Sequence, residues 1–136
     1  APGTFTARPR FHARATKADV RRALAHTGVV VLDVRSREEF DGATPHGEAR
    51  GGHVPGAVHL DWRALSDAEG RVLRGDALRQ RLSAAGVLEG QPAIVYCTGG
   101  VRSAFVTEVL REHGIDARNY EASMWEWAAD ATAPLE

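Results

Sequence analysis

Four apolar residues, Ala93-Ile94-Val95-Tyr96, run directly into Cys97-Thr98-Gly99-Gly100-Val101-Arg102-Ser103, and this stretch restricts the fold more than any other. The apolar run is short and rich in β-formers, as in a buried strand. From Ser103 to His113 the apolar residues Ala104, Phe105, Val106, Val109 and Leu110 repeat at helical spacing, and Gly114 stops the helix. A strand, a small-residue loop and a helix therefore follow each other without a linker. The only cysteine of the chain sits where the strand ends and the loop begins.

A loop of this kind turns its backbone N–H groups towards its own centre, and the following helix adds its dipole, so negative charge is favoured there. Gly99 and Gly100 are expected to take the positive φ angles of a tight anion cradle. Arg102 closes the loop with a permanent positive charge. A free thiol ionises near ~8.5, and helix N-termini and cations lower that value. The pattern thus predicts an activated nucleophile at Cys97 rather than an inert structural thiol, which is the reading a lone cysteine in an apolar run would favour.

Elsewhere the chain alternates. Ala1 to Arg14 is basic and irregular and is read as an extended lead-in segment (residues 1–14), with Phe5 and Phe11 able to tuck against the domain that follows (residues 15–136). Thr16 can cap a helix from Lys17 to His26, with Asp19 in its first turn. Val29-Val30-Val31-Leu32 reads as a strand covered on both faces and ends in Asp33-Val34-Arg35. Ser36 and Glu39 have capping-box spacing, as do Ser123 and Glu126 near the end of the chain. The segment from Asp41 to Gly56 is glycine- and proline-rich and predicts a long, functional loop. Ala57-Val58-His59-Leu60 is a third strand, Asp76 to Ala85 a helix capped by Gly86, and Ala117 to Tyr120 a last strand. This order predicts a single α/β domain with a mostly parallel central sheet flanked by helices. Ligands of such sheets bind beyond the carboxyl ends of the strands, where Asp33, Trp62 and Cys97 could line one rim.

Composition narrows the function classes. With 136 residues the chain suits one domain, and with 43% apolar residues it can bury a core without disulfides. A net charge of −1 gives no field for nucleic acid or an anionic membrane. No apolar run approaches the ~20 residues of a membrane span. One cysteine excludes an intrachain disulfide and a multi-cysteine zinc site, and His46, His53 and His59 read as separate residues rather than a metal site. With no secretory-type N-terminus, a cytoplasmic location is expected.

Several stretches together resemble the rhodanese family of sulfurtransferases. Val31-Leu32-Asp33-Val34-Arg35-Ser36 is similar to the family signature at the end of the first core strand. Gly51-Gly52-His53-Val54-Pro55-Gly56-Ala57 resembles its Gly-His-Ile-Pro-Gly-Ala stretch, and Cys97 to Arg102 has the form of its active loop. Tyr120 to Trp127 resembles the Gly-Ser-Trp-x-Glu-Trp stretch of tandem-domain thiosulfate sulfurtransferases, with Met124 as a departure. That pattern belongs to their C-terminal, catalytic domain, which implies an inactive N-terminal rhodanese domain as a partner in a longer chain. A second departure is Glu39, at the position where some tandem enzymes carry a second basic residue.

The resemblance implies that Cys97 takes sulfur from thiosulfate or a related small sulfur-containing anion as a persulfide and passes it to cyanide or a thiol, without cofactor or metal. Thr98, Gly99, Gly100, Val101 and Ser103 would hold the transferred sulfur through loop N–H groups, and Arg102 would stabilise the anion. Trp62 and Trp125 are pocket walls or ordinary core and rim residues. Asp33, Arg35 and His53 read as supporting residues: Asp33 bonds the loop or Arg35, Arg35 pairs with Glu38 or Glu39, and His53 is a structural loop histidine. Two other classes stay open. A persulfide carrier or partner-docking module would show little free turnover. Phosphatases and arsenate reductases on this fold use a loop one residue longer, which has room for a tetrahedral oxyanion where four intervening residues suit a single sulfur. Without its partner domain, the site is expected to be open and exposed.

Overall fold

The computed structural model describes residues 2–8, 11–26 and 28–136, and for Phe11 the backbone alone. Five strands form one all-parallel sheet: β1 (Arg14–Ala15), β2 (Val30–Asp33), β3 (Val58–His59), β4 (Ala93–Tyr96) and β5 (Ala117–Tyr120), in the order β1-β5-β4-β2-β3. Helices α1 (Lys17–Leu24), α2 (Arg37–Phe40), α3 (Gly75–Ala85), α4 (Val101–Glu112) and α5 (Ser123–Ala129) connect and cover them. No helix among the described residues is long and apolar enough to cross a membrane.

Strand periodicity divides the interior into two cores. Val30 and Leu32 of β2 and Ala93 and Val95 of β4 face α3 and α4, where Leu78, Leu82, Val106 and Leu110 complete one cluster. Val31, Ile94 and Tyr96 point the other way, towards Val20 of α1 and Met124 and Trp127 of α5. Because β2 and β4 are buried on both faces, their sequences are continuous apolar runs rather than alternating ones.

The helix ends follow local chemistry. Thr16 and Asp19 form a reciprocal capping box on α1, and Ser36 and Glu39 form another on α2. Gly86 ends α3 in the left-handed conformation. Three expectations change. Arg14, the last residue of the expected lead-in, forms with Ala15 an edge strand on β5, too short to carry a periodic signal. Phe5 is 90% exposed and does not tuck against the domain, while the Phe11 side chain lies outside the described residues. Ser123 and Glu126 form no capping box: Ala122 is the N-cap, and Glu126 instead accepts a hydrogen bond from the Tyr120 hydroxyl at 2.7 Å.

Candidate active site

Helix α4 starts two residues earlier than its apolar periodicity predicts, at Val101, so the loop between β4 and α4 is only Cys97 to Gly100. Gly100 is the N-cap, at φ 93°, and its N–H donates to Cys97 Sγ at 3.1 Å. A β-carbon there would meet the Glu121 carbonyl oxygen at 2.4 Å, so glycine is required twice over. Ser103, one turn on, places its hydroxyl 3.3 Å from Sγ. The thiol therefore sits over the first turn of α4, where unpaired N–H groups collect. Its burial pushes the ionisation up; the Ser103 hydroxyl, the N–H groups of Ser103 and Gly100, and the Arg102 charge outweigh this and hold it below the ordinary thiol value.

The start of α5 braces the loop from behind. Cys97 N–H donates to Ser123 Oγ at 3.1 Å, and that hydroxyl donates to the Tyr120 carbonyl at 2.7 Å. The N–H groups of Met124 and Trp125 donate to the carbonyls of Cys97 and Thr98. Ser123 does this at φ 51°, a left-handed conformation unusual for a residue other than glycine. Trp125, 55% exposed, lies across Gly99 and donates its indole N–H to the His46 carbonyl at 3.0 Å. A β-carbon on Gly99 would come within 2.5 Å of that ring, so this glycine serves close approach and not, as its sequence context predicts, a positive φ.

Charge at the mouth is arranged in an unexpected way. Arg102 forks onto Glu39, Nη1 to Oε2 at 2.7 Å and Nη2 to Oε1 at 2.9 Å, and Nη2 also donates to Thr98 Oγ1 at 2.9 Å. Thr98 in turn donates to Glu39 Oε1 at 3.1 Å, with Oε1 of buried Glu48 at 3.4 Å. His46 Nε2 lies 3.5 Å from Glu39 Oε1. Burial raises the Glu39 carboxyl, but the Arg102 fork and the Ser36 N–H prevail and bring it to about 2. Glu39 therefore caps α2, as its spacing predicts, and also binds Arg102. Because the native state depresses this group, its contribution to stability is fully present above about pH 4.5 and is lost as the pH falls towards 2. Acid-unfolding curves of Glu39→Gln should be flatter over this interval than those of the wild type; superimposable curves would contradict the assignment.

Of the residues singled out in the sequence, Cys97, Thr98, Gly99, Gly100, Arg102 and Ser103 are brought together. Val101 is at the site's edge with its side chain 81% exposed. Trp62 packs edge-on against Phe105, ring centroids 6.0 Å apart, beside the core cluster that contains Cys97. Asp33 does end its strand at the same rim, but strand parity sends it away from the thiol. Asp33 and Tyr96 are register partners and point to one face, and Cys97, the next residue, points to the other. Arg35 pairs with Asp33, not with Glu38 or Glu39: Nη2 lies 2.8 Å from Oδ2 and also donates to the Gly52 carbonyl at 2.7 Å, while the Tyr96 hydroxyl donates to Asp33. His53 stacks on Phe40 at 3.6 Å and bonds its carbonyl, so it fixes the long loop. His59 bonds the Arg35 carbonyl, and no group of three metal-binding side chains occurs among the described residues. Ser123 and Glu48 were not foreseen. The expected open site is also corrected: Cys97 is only 1% exposed. A separate cleft, lined by Leu82, Val87, Gln91, Ile115 and Asp116, opens at the opposite end of the strands and does not reach the thiol.

The chain is thus a parallel α/β domain with one cysteine cradled at a strand–helix junction. Residues 16–130 match the model of the rhodanese-like domain, and the chain belongs to that family. It is 36% identical to thiosulfate sulfurtransferase of Corynebacterium glutamicum over 90% of this chain and 44% of that protein. It is 35% identical to the protein named putative thiosulfate sulfurtransferase SseB of Mycobacterium tuberculosis over 79% of this chain and 38% of that protein. The chain thus spans less than half the length of these curated relatives. Among solved structures, wild-type EanB superposes with a TM-score of 0.78 at 21% identity, over 92% of this chain and 27% of that one, a likeness of fold.

Proposed function

We propose that this domain is a sulfurtransferase that carries sulfane sulfur on Cys97. The observation that carries the reading is the thiol itself: it receives the Gly100 N–H and the Ser103 hydroxyl and is held below its ordinary ionisation. The Cys97 thiolate attacks the outer sulfur of a donor such as thiosulfate. The S–S bond breaks, sulfite leaves with the electron pair, and Cys97 holds the persulfide anion. An acceptor such as cyanide or a thiolate then attacks the outer sulfur and returns the thiolate, so the cycle needs no oxidant, metal or cofactor. The donors that favour the thiolate, with the remaining N–H groups of the loop, would hold the persulfide charge in a preorganised cradle. Four intervening residues between Cys97 and Arg102 leave room for one sulfur rather than for a tetrahedral phosphate.

Steady-state formation of thiocyanate tests this. Varying thiosulfate at several cyanide concentrations should give parallel double-reciprocal lines, because the two substrates never meet on the protein. Intersecting lines, or hydrolysis of an aryl phosphate that depends on Cys97, would overturn it. One observation favours a second reading: a thiol 1% exposed suits a carrier that hands its sulfur to a docked partner. In that case the persulfide forms but turnover with free cyanide is slow.

A further inference from the structure

The sulfurtransferase reading leaves the donor open, and the charges at the mouth of the loop bear on it. Arg102 is the cation nearest the thiol in sequence, yet both arms of its guanidinium are occupied by Glu39, at 2.7 and 2.9 Å. Glu39 is buried and stays ionised at any working pH. Thr98 brings a second carboxyl, Glu48, to the same spot. Arg63, a further cation whose charge is felt at Arg102, is itself forked onto Asp61 and has Glu38 nearby. Arg37 is paired with Asp41, and Arg50 is spent on backbone carbonyls of residues 127–133. Among the described residues His46 adds a further basic side chain, its Nε2 3.5 Å from Glu39 Oε1. The backbone donors around Sγ favour one negative charge on a single sulfur, whereas the side chains around them carry at least as many carboxylates as cations. Such a mouth repels a second negative charge on the incoming molecule.

On the strength of that reading, we propose that Glu39 sets the charge preference of the site: by neutralising Arg102 it selects an organic persulfide, which carries at most one negative charge on its sulfur atoms, over dianionic thiosulfate. The transfer balances without a further reactant. The Cys97 thiolate attacks the outer sulfur of R–S–SH, the S–S bond breaks, RS⁻ leaves with the electron pair and takes up the proton of the transferred sulfur, and Cys97 holds the persulfide anion. Glu39 acts through Arg102 and is a specificity-determining residue, not a catalytic one.

The test compares wild type with Glu39→Gln. Glutamine also serves at the third position of a capping box, so α2 keeps its start. Two reagents of similar size, neutral iodoacetamide and anionic iodoacetate, alkylate Cys97, and the ratio of their rates cancels any change in thiol ionisation. Removing one charge should raise iodoacetate relative to iodoacetamide about tenfold at low salt. Thiosulfate relative to cysteine persulfide, read as kcat/KM of persulfide loading by mass, should rise by more. In the unaltered protein, raising the salt concentration should by itself raise the iodoacetate ratio, a check that needs no variant to fold. A ratio unchanged within twofold in Glu39→Gln, or one that falls with salt in the wild type, overturns the proposal. If the alkylation ratio shifts but neither donor loads sulfur, the charge preference holds and the sulfurtransferase reading fails. If both donors load and the ratio does not shift, the reverse is true.

Discussion

Cys97→Ser is expected to leave a folded domain that transfers no sulfur. A serine hydroxyl fits the same buried position and can still receive the Gly100 N–H and meet the Ser103 hydroxyl, so the melting temperature should move little. It is not ionised near neutral pH, however, and an alkoxide has little affinity for a sulfane sulfur. Loss of a covalent nucleophile removes rate by a factor of at least about a thousand, and with no other cysteine in the chain there is no substitute. Thiocyanate release and a thermal melt on the same sample check both halves. Residual activity within about tenfold of wild type would mean that sulfur moves by another route.

The second large effect is on stability and lies on the other face of the sheet. Asp33→Asn should destabilise the domain by about 3–5 kcal/mol, because Arg35, fully buried, would keep its charge and lose the carboxylate that compensates it. That corresponds to a fall of roughly 10–20 °C in melting temperature for a domain of this size. Arg35 already has one guanidinium nitrogen, Nη1, without a hydrogen-bond partner, so little slack remains to absorb the change. At temperatures where the variant is folded, alkylation of Cys97 should proceed as in wild type, since Asp33 faces away from it. A loss below about 1 kcal/mol would show that the pair does not hold the strand ends together.

These two predictions mark what could be read from the chain and what could not. Strand and helix identity was legible wherever a continuous apolar run or a helical repeat was long enough, as in β2, β4 and α4. Arg14–Ala15 was not, because two residues carry no period and pair only once β5 exists. The loop chemistry was legible because Cys97, Gly100 and Ser103 are neighbours in sequence as well as in space. Glu39 and Arg102 are not: the capping-box spacing accounted for Glu39 fully, and nothing in sequence connects it with a guanidinium on another helix. Ser123 misled for a related reason. Its spacing to Glu126 matches a cap, but its hydroxyl is already committed to the Tyr120 carbonyl and the Cys97 N–H, and the backbone turns left-handed to allow it. The pairing of Asp33 with Arg35 was one of the two roles expected of Asp33, because the partners are only two residues apart, just past the strand end, where the Arg35 N–H also donates to Asp33 Oδ1.

The central claim is that Cys97 carries sulfur, and the intact mass of the protein tests it most directly. After incubation with a sulfane donor, thiosulfate or an organic persulfide, the account predicts a gain of one sulfur atom. That gain should be absent in Cys97→Ser and should be removed by cyanide as thiocyanate is released. No gain with either donor, from a protein whose thiol also resists alkylation at neutral pH, would contradict the activated nucleophile and the function built on it.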